Sequence, residues 1–268
     1  MLLPRILTAA VLLAAFLAAL FLLERWQFAV VVGVVVPVAA HEWAGLSGLP
    51  GFARISYAAG LGLVYAAGAV AWFSWTPLAA IFVAATLFWA VAAPWWMHSG
   101  VTAASRRWLP PLGLLVIVPA ALAMLALTPA QLLAAIALPW IADTAAYFVG
   151  RAWGRRKLAP GISPGKTLEG AAGGLVAVAI YAMICPRFLA ELQPFAQGLA
   201  WMALLGGALV LGILSIVGDL FESAIKRQAG VKDSGRILPG HGGVLDRIDS
   251  ATSTLPLAAL LFHWIRLT

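Results

Sequence analysis

Residues 200–250 read AWMALLGGALVLGILSIVGDLFESAIKRQAGVKDSGRILPGHGGVLDRIDS. The first 22 of them, 200–221, carry a single charge, Asp219, and a helix of that length and apolarity matches the hydrocarbon thickness of a bilayer. A second mostly apolar run occupies 249–266, and ten charged residues crowd into 219–250 between and beside the two. These are Asp219, Glu222, Lys226, Arg227, Lys232, Asp233, Arg236, Asp246, Arg247 and Asp249. A span, a charged segment and a second span are therefore expected here, and the rest of the chain repeats that alternation.

Of the 268 residues, 63% are hydrophobic and 10% charged, with a mean hydropathy of +0.98. A water-soluble core of this length cannot hide so much apolar surface, so the bilayer must act as solvent. Nine runs are long enough to span: 6–23, 27–46, 56–74, 77–97, 111–127, 130–150, 168–186, 200–221 and 249–266. The expected fold is an all-α polytopic integral membrane protein with about nine transmembrane helices. Residues 1–127 hold the first five spans. Residues 128–268 hold the other four, with polar segments 151–167 and 222–248. The first run resembles a secretory signal, but further spans follow it at once, so it reads as a transmembrane helix. Short connections, SWT near 75 and TPA near 129, imply helical hairpins, with Pro77 and Pro129 in first turns.

Lys and Arg gather on the cytoplasmic side of short loops. In the nine-span arrangement one side carries Arg5, Arg54, Arg106, Arg107, five basic residues of 151–166 and five of 226–247. The other side has only Arg25, Arg187 and Arg266. This bias puts the N-terminus and both polar segments in the cytoplasm and the C-terminus outside. A bacterial cytoplasmic (inner) membrane is the expected location.

The +7 net charge does not imply nucleic acid, because the basic residues sit at span ends and alternate with acids, with no basic arm or stacking module. Cys185, the single cysteine, excludes an intrachain disulfide and a cysteine-based zinc site. Most of the twelve tryptophans fall near span ends, as an aromatic belt would. Gly170 and Gly174 mark a close helix approach, by packing within the chain or at a dimer contact.

Chemistry is indicated by polar residues where a membrane makes them costly. Asp143 lies within the sixth span, about two turns from Arg151. Asp219, Glu222 and Ser223 lie within about one helical turn of one another at the end of the eighth, and Asp246 and Asp249 are one turn apart at the start of the ninth. Glu42, beside His41 near the end of the second span, reads mainly as an interfacial anchor. Hard carboxylate oxygens suit Mg²⁺, which takes a few carboxylates plus phosphate oxygens. This gives Asp219, Asp246 and Asp249 as metal ligands, with Asp143, Lys226, Asp246 and Asp249 as the catalytic group and room for a second cation, monovalent or divalent. Ser163, Lys166 and Thr167, expected where the seventh span begins, together with Ser223, Arg227, His241 and Arg247, are candidates for binding phosphates. The inference is metal-assisted phosphoryl or nucleotidyl transfer. The segment GISPGKT is not a phosphate-binding P-loop, since its first glycine is one position late. A secondary transporter is the rival, but the charges cluster at one face instead of the midplane and no inverted repeat is visible. An Asp-Gly pair, which CDP-alcohol phosphotransferases need, is absent.

The run SAIKRQAGVKDSGRILPGHGGVLDRID, 223–249, resembles the full signature of the phosphatidate cytidylyltransferases (CDP-diacylglycerol synthases). DTAAYFVGR and ISPGKTLEG, within 143–170, resemble that family's second shared region, and HEWAGL, 41–46, resembles its N-terminal part more weakly. The resemblance implies a Mg²⁺-dependent reaction of CTP with phosphatidate in the bilayer, giving CDP-diacylglycerol and pyrophosphate by direct attack. It also leaves room for a homodimer.

Overall fold

The computed structural model describes residues 2–72, 75–100 and 103–267, with side chains from 6–72, 78–100 and 106–265. The side chains of Arg5, Pro77 and Arg266, and Ser74 in the SWT connection, lie outside the described residues.

Helices occupy each of the nine apolar runs: α1 (Leu2–Leu22), α2 (Arg25–Leu46), α3 (Gly51–Ala71), α4 (Trp75–Leu87) continued by α5 (Ala93–Ser99), α6 (Leu109–Ala126), α7 (Pro129–Trp153), α8 (Leu168–Ile184), α9 (Ala200–Gln228) and α10 (Leu245–Leu267). Seven helical segments among the described residues are long and apolar enough to cross a membrane. Ile6–Leu22 is a shorter apolar helix, and α10 carries Asp246, Arg247 and Asp249 in its first turns. This is the architecture of a polytopic helical membrane protein. Outward-facing side chains such as Leu22, Leu63, Val70 and Met202 are exposed and apolar, as lipid contact demands.

Local sequence explains how the helices begin and bend. Thr128 caps α7 by accepting a hydrogen bond from the Gln131 amide, and the Gln131 side chain accepts one from the Thr128 amide, with Pro129 at the first helical position. Between α4 and α5 the helix passes through one π turn, Phe88–Ala92. That turn directs Phe88 and Trp89 inward onto Phe221 of α9, edge to face, with ring centroids 5.5 and 5.4 Å away. Trp89 and Trp43 are thus packing residues in the interior, unlike the belt tryptophans expected from sequence.

α6 is the most enclosed span, packed against α2, α3, α4 and α10. Trp43 of α2 donates from Nε1 to the Leu109 carbonyl at 2.7 Å, and Tyr57 of α3 donates to the Pro110 carbonyl at 2.6 Å. A Cβ on Gly113 would stand 2.2 Å from the Tyr57 hydroxyl and 2.5 Å from Trp43, so only glycine lets these helices meet. At the other end Arg25 donates to the carbonyls of Leu125 and Leu127 and lies over the Trp72 ring, which gives this cation a structural use.

α7 and α8 form a tight pair. Cβ atoms on Gly170 and Gly174 would meet the Ala146 and Ala142 carbonyl oxygens at 2.7 and 2.8 Å, so these small residues serve packing within the chain. The loop between the two helices departs from the all-helical expectation. β1 (Lys157–Ala159) and β2 (Ser163–Thr167) pair antiparallel around Pro160-Gly161, residues that favour a reversal. Ser163 and Lys166 accordingly sit on a strand, and only Thr167 stands at a helix start, where it caps α8 by accepting from the Gly170 amide.

Candidate active site

The two polar segments meet. At the end of α7, α8 and α9, a cavity of about 510 Å³ is lined by Asp143, Tyr147 and Arg151 of α7, by Ser163, Lys166 and Thr167 of the hairpin, and by Asp219 of α9. Lys166 Nζ forms an ion pair with Asp219 Oδ2, joining residues 53 apart in sequence. The Ser223 hydroxyl donates to the other Asp219 oxygen at 3.3 Å, one helical turn on. Asp143 turns its carboxylate into the cavity and, among the described residues, accepts no hydrogen bond there. It interacts electrostatically with Asp219 and Lys166.

The hairpin is held over this cavity by Glu169 in the first turn of α8. Its carboxylate accepts from the Arg155 and Arg156 amides at 3.0 and 3.1 Å, and pairs with the Arg156 guanidinium at 3.4 Å. Arg227 of α9 donates from Nε to the Ile162 carbonyl in the hairpin turn at 3.5 Å, a long contact. Gly150 and Gly154 leave space for Thr167, whose Oγ1 would stand 2.9 and 2.8 Å from Cβ atoms placed on them. Thr167 is buried by this packing, with its hydroxyl engaged in capping.

Beyond Asp219 the polar groups become enclosed. Lys226 Nζ lies 2.6 Å from Asp246 Oδ1 and 3.3 Å from Glu222 Oε1. Asp246 Oδ2 accepts from the Ser234 amide at 2.8 Å, the Ser234 hydroxyl at 2.9 Å and the Gly243 amide at 2.8 Å. Asp246 stands ahead of the apolar part of α10. Burial opposes its ionisation, but Lys226 and the Gly243 and Ser234 amides outweigh burial and hold its carboxyl below the usual carboxylate range. Both of its oxygens are thus engaged by protein donors. Asp249, one turn on, accepts from the Ser250 amide at 2.7 Å and stands within electrostatic range of Asp219, Lys226 and Asp143.

Two residues of this network carry more than their sequence signals suggest. Glu42 of α2 is only 4% exposed and accepts from the Val244 and Leu245 amides at 3.0 and 2.9 Å and from the Ser234 hydroxyl at 3.1 Å. It therefore caps α10 from about 200 residues away. Glu222 is buried beside Lys226, with neither carboxylate oxygen in hydrogen-bond geometry. An ionisable residue at the polar end of a span is the available signal for both; partners so distant in sequence leave no pattern for Glu42. The other predicted binders stand apart. His241 makes only a 3.3 Å contact to the Pro239 carbonyl, and Arg247 is exposed without an ion pair among the described residues.

Asp143 and Asp219 present hard oxygen donors to the cavity and Asp249 stands within electrostatic range of both, chemistry that fits Mg²⁺ completed by phosphate oxygens. Among the described residues no three such side chains form a ready-made metal cluster, so the protein part of the coordination would be small. Lys166, Arg151 and Lys226 supply positive charge beside these acids, the pairing that a polyphosphate substrate and its metal require.

The Cytidylyltransferase family model matches residues 3–265. A protein named phosphatidate cytidylyltransferase from Pseudomonas aeruginosa is 42% identical over 271 residues, 97% of this chain and 97% of its own length. Proteins of the same name from Haemophilus influenzae and Staphylococcus aureus (strain COL) are 45% and 47% identical over 128 and 130 residues, 48% of this chain and 44% and 48% of theirs. With both the family match and the Pseudomonas relative extending nearly end to end, this chain belongs to the Cytidylyltransferase family and is a nucleotidyltransferase.

Proposed function

We propose that this enzyme is a phosphatidate cytidylyltransferase, forming CDP-diacylglycerol and pyrophosphate from CTP and phosphatidate. The observation that carries the reading is the cavity where Asp143, Lys166 and Asp219 meet, which sets carboxylates that suit a divalent metal beside a lysine that suits phosphate. The names of the relatives supply the substrate pair.

In this reading a phosphatidate phosphate oxygen attacks the α-phosphorus of CTP. The new oxygen–phosphorus bond forms as the bond to the β-phosphate bridging oxygen breaks, and pyrophosphate carries the electron pair away. No protein nucleophile is needed. Lys166 exchanges its contact with Asp219 for substrate phosphate, while Arg151 in the cavity wall and Arg227 beside the hairpin turn supply further positive charge. Lys226, fixed by Asp246, neutralises charge developing on the transferred phosphoryl group. Asp219 and Asp249, with Asp143 opposite, would hold Mg²⁺, which would supply Lewis-acid stabilisation of the phosphoryl oxygens.

The nine-span topology, with the N-terminus and site at the cytoplasmic face and the C-terminus outside, belongs to the same proposal and rests on the Lys and Arg bias. So does placement in a bacterial inner membrane. The experiment supplies labelled CTP, phosphatidate and Mg²⁺ to the purified protein and separates products. Labelled CDP-lipid with equimolar pyrophosphate is expected; no product across several divalent ions overturns the reading.

A further inference from the structure

We propose that Glu42 is a positioning residue of the reaction, a carboxylate from the N-terminal half that sets the place of Lys226 through Ser234 and Asp246. The inference rests on the phosphatidate cytidylyltransferase reading. Glu42 accepts from the first free amides of α10, Val244 and Leu245, groups that have no partner inside their own helix. A carboxylate there also meets the positive end of the helix dipole. Ser234 bridges Glu42 to Asp246, with its hydroxyl 3.1 Å from one carboxylate and 2.9 Å from the other. Asp246 in turn holds Lys226 at 2.6 Å.

Space around this carboxylate is fully taken. A Cβ on Gly235 would stand 2.2 Å from Glu42 Oε1, and one on Gly243 would stand 2.5 Å from Oε2 and 2.2 Å from the Ser234 hydroxyl. The 229–244 loop is therefore moulded on Glu42. A helix outside the cavity thus sets where a loop, an aspartate and a lysine stand.

The test compares Glu42→Gln, Ser234→Ala, their double variant and Trp43→Phe in the intact protein. Steady-state turnover of CTP and phosphatidate, melting temperature and hydrogen–deuterium exchange are measured on each. Glu42→Gln and Ser234→Ala should each lower kcat roughly tenfold or more, as sub-ångström misplacement does, with KM for CTP changed by less than about twofold. The double variant should be no worse than the worse single, because both act through one path. Exchange in 231–246 should rise in Glu42→Gln. Trp43→Phe should lower the melting temperature with kcat unchanged. The proposal is overturned if Glu42→Gln keeps kcat, if the two losses multiply, or if Trp43→Phe reproduces the kcat loss. Absence of CDP-lipid from the unaltered protein would fell the functional reading instead, and unchanged exchange in 231–246 would fell the Glu42 strut independently of activity.

Discussion

Two polar regions lie side by side in this protein and are built in opposite ways. Around Asp143, Lys166 and Asp219 the charges line an open cavity, and one carboxylate accepts no hydrogen bond among the described residues. Around Glu42, Ser234, Asp246 and Lys226 the carboxylates are buried and their oxygens are met by amides, a hydroxyl and an ammonium. The first arrangement has spare coordinating capacity and can exchange partners with a ligand. The second, Glu222 excepted, has a donor for each carboxylate oxygen and resists rearrangement, because breaking one link leaves a buried charge unpaired. The contrast suggests a division of labour: an adaptable wall that receives phosphate and a fixed wall that orients it.

The largest loss should come where the fixed wall meets the transferred group. Asp246→Asn replaces an acceptor-only group by an amide facing Lys226 or two backbone amides. Turnover should fall at least about a thousandfold while the protein still inserts and purifies; near-normal CDP-lipid formation would break the comparison. Asp219→Asn, on the adaptable wall, should cost roughly a hundredfold, and raising the Mg²⁺ concentration should recover part of it, which the saturated wall would not allow. Failure of a Mg²⁺ titration to distinguish Asp219→Asn from Asp246→Asn would remove the distinction.

Gly235→Ala forces a Cβ against Glu42 and should act as a second lesion of the fixed wall. A drop of several degrees in melting temperature with a roughly tenfold loss of kcat is expected, and a wild-type thermal melt would contradict it. Glu169→Gln loosens only the hairpin over the cavity. Its effect should be a rise of about threefold or less in KM for CTP with kcat retained, read from initial rates. Smallest of all is His241→Ala. That side chain has one weak contact, so activity and melting should stay within about twofold and a degree of the parent.

Hydropathy made the helices legible before any coordinates, because a span must bury its own backbone polar groups and so declares itself by apolar length alone. Thr128 and Gln131 likewise mark the start of α7 by a local pattern. The hairpin at 157–167 was harder. Its strands are three and five residues long, and they stand beside apolar spans that dominate any window. Ser163 and Lys166 read as a helix start for that reason.

The composition and order of residues determined that this chain is a bundle of membrane helices with its charge concentrated in two polar segments. The types of side chain in those segments, carboxylates among lysines and arginines, named the class of chemistry. Only the tertiary structure decided which carboxylates face the cavity and which are consumed as supports. That choice depends on how α2, α6, α9 and α10 cross, and Glu42 shows why: its partners lie 192 to 203 residues away. Helical periodicity records the face of a single helix, whereas packing between distant helices decides whether that face meets solvent, substrate or a buried amide.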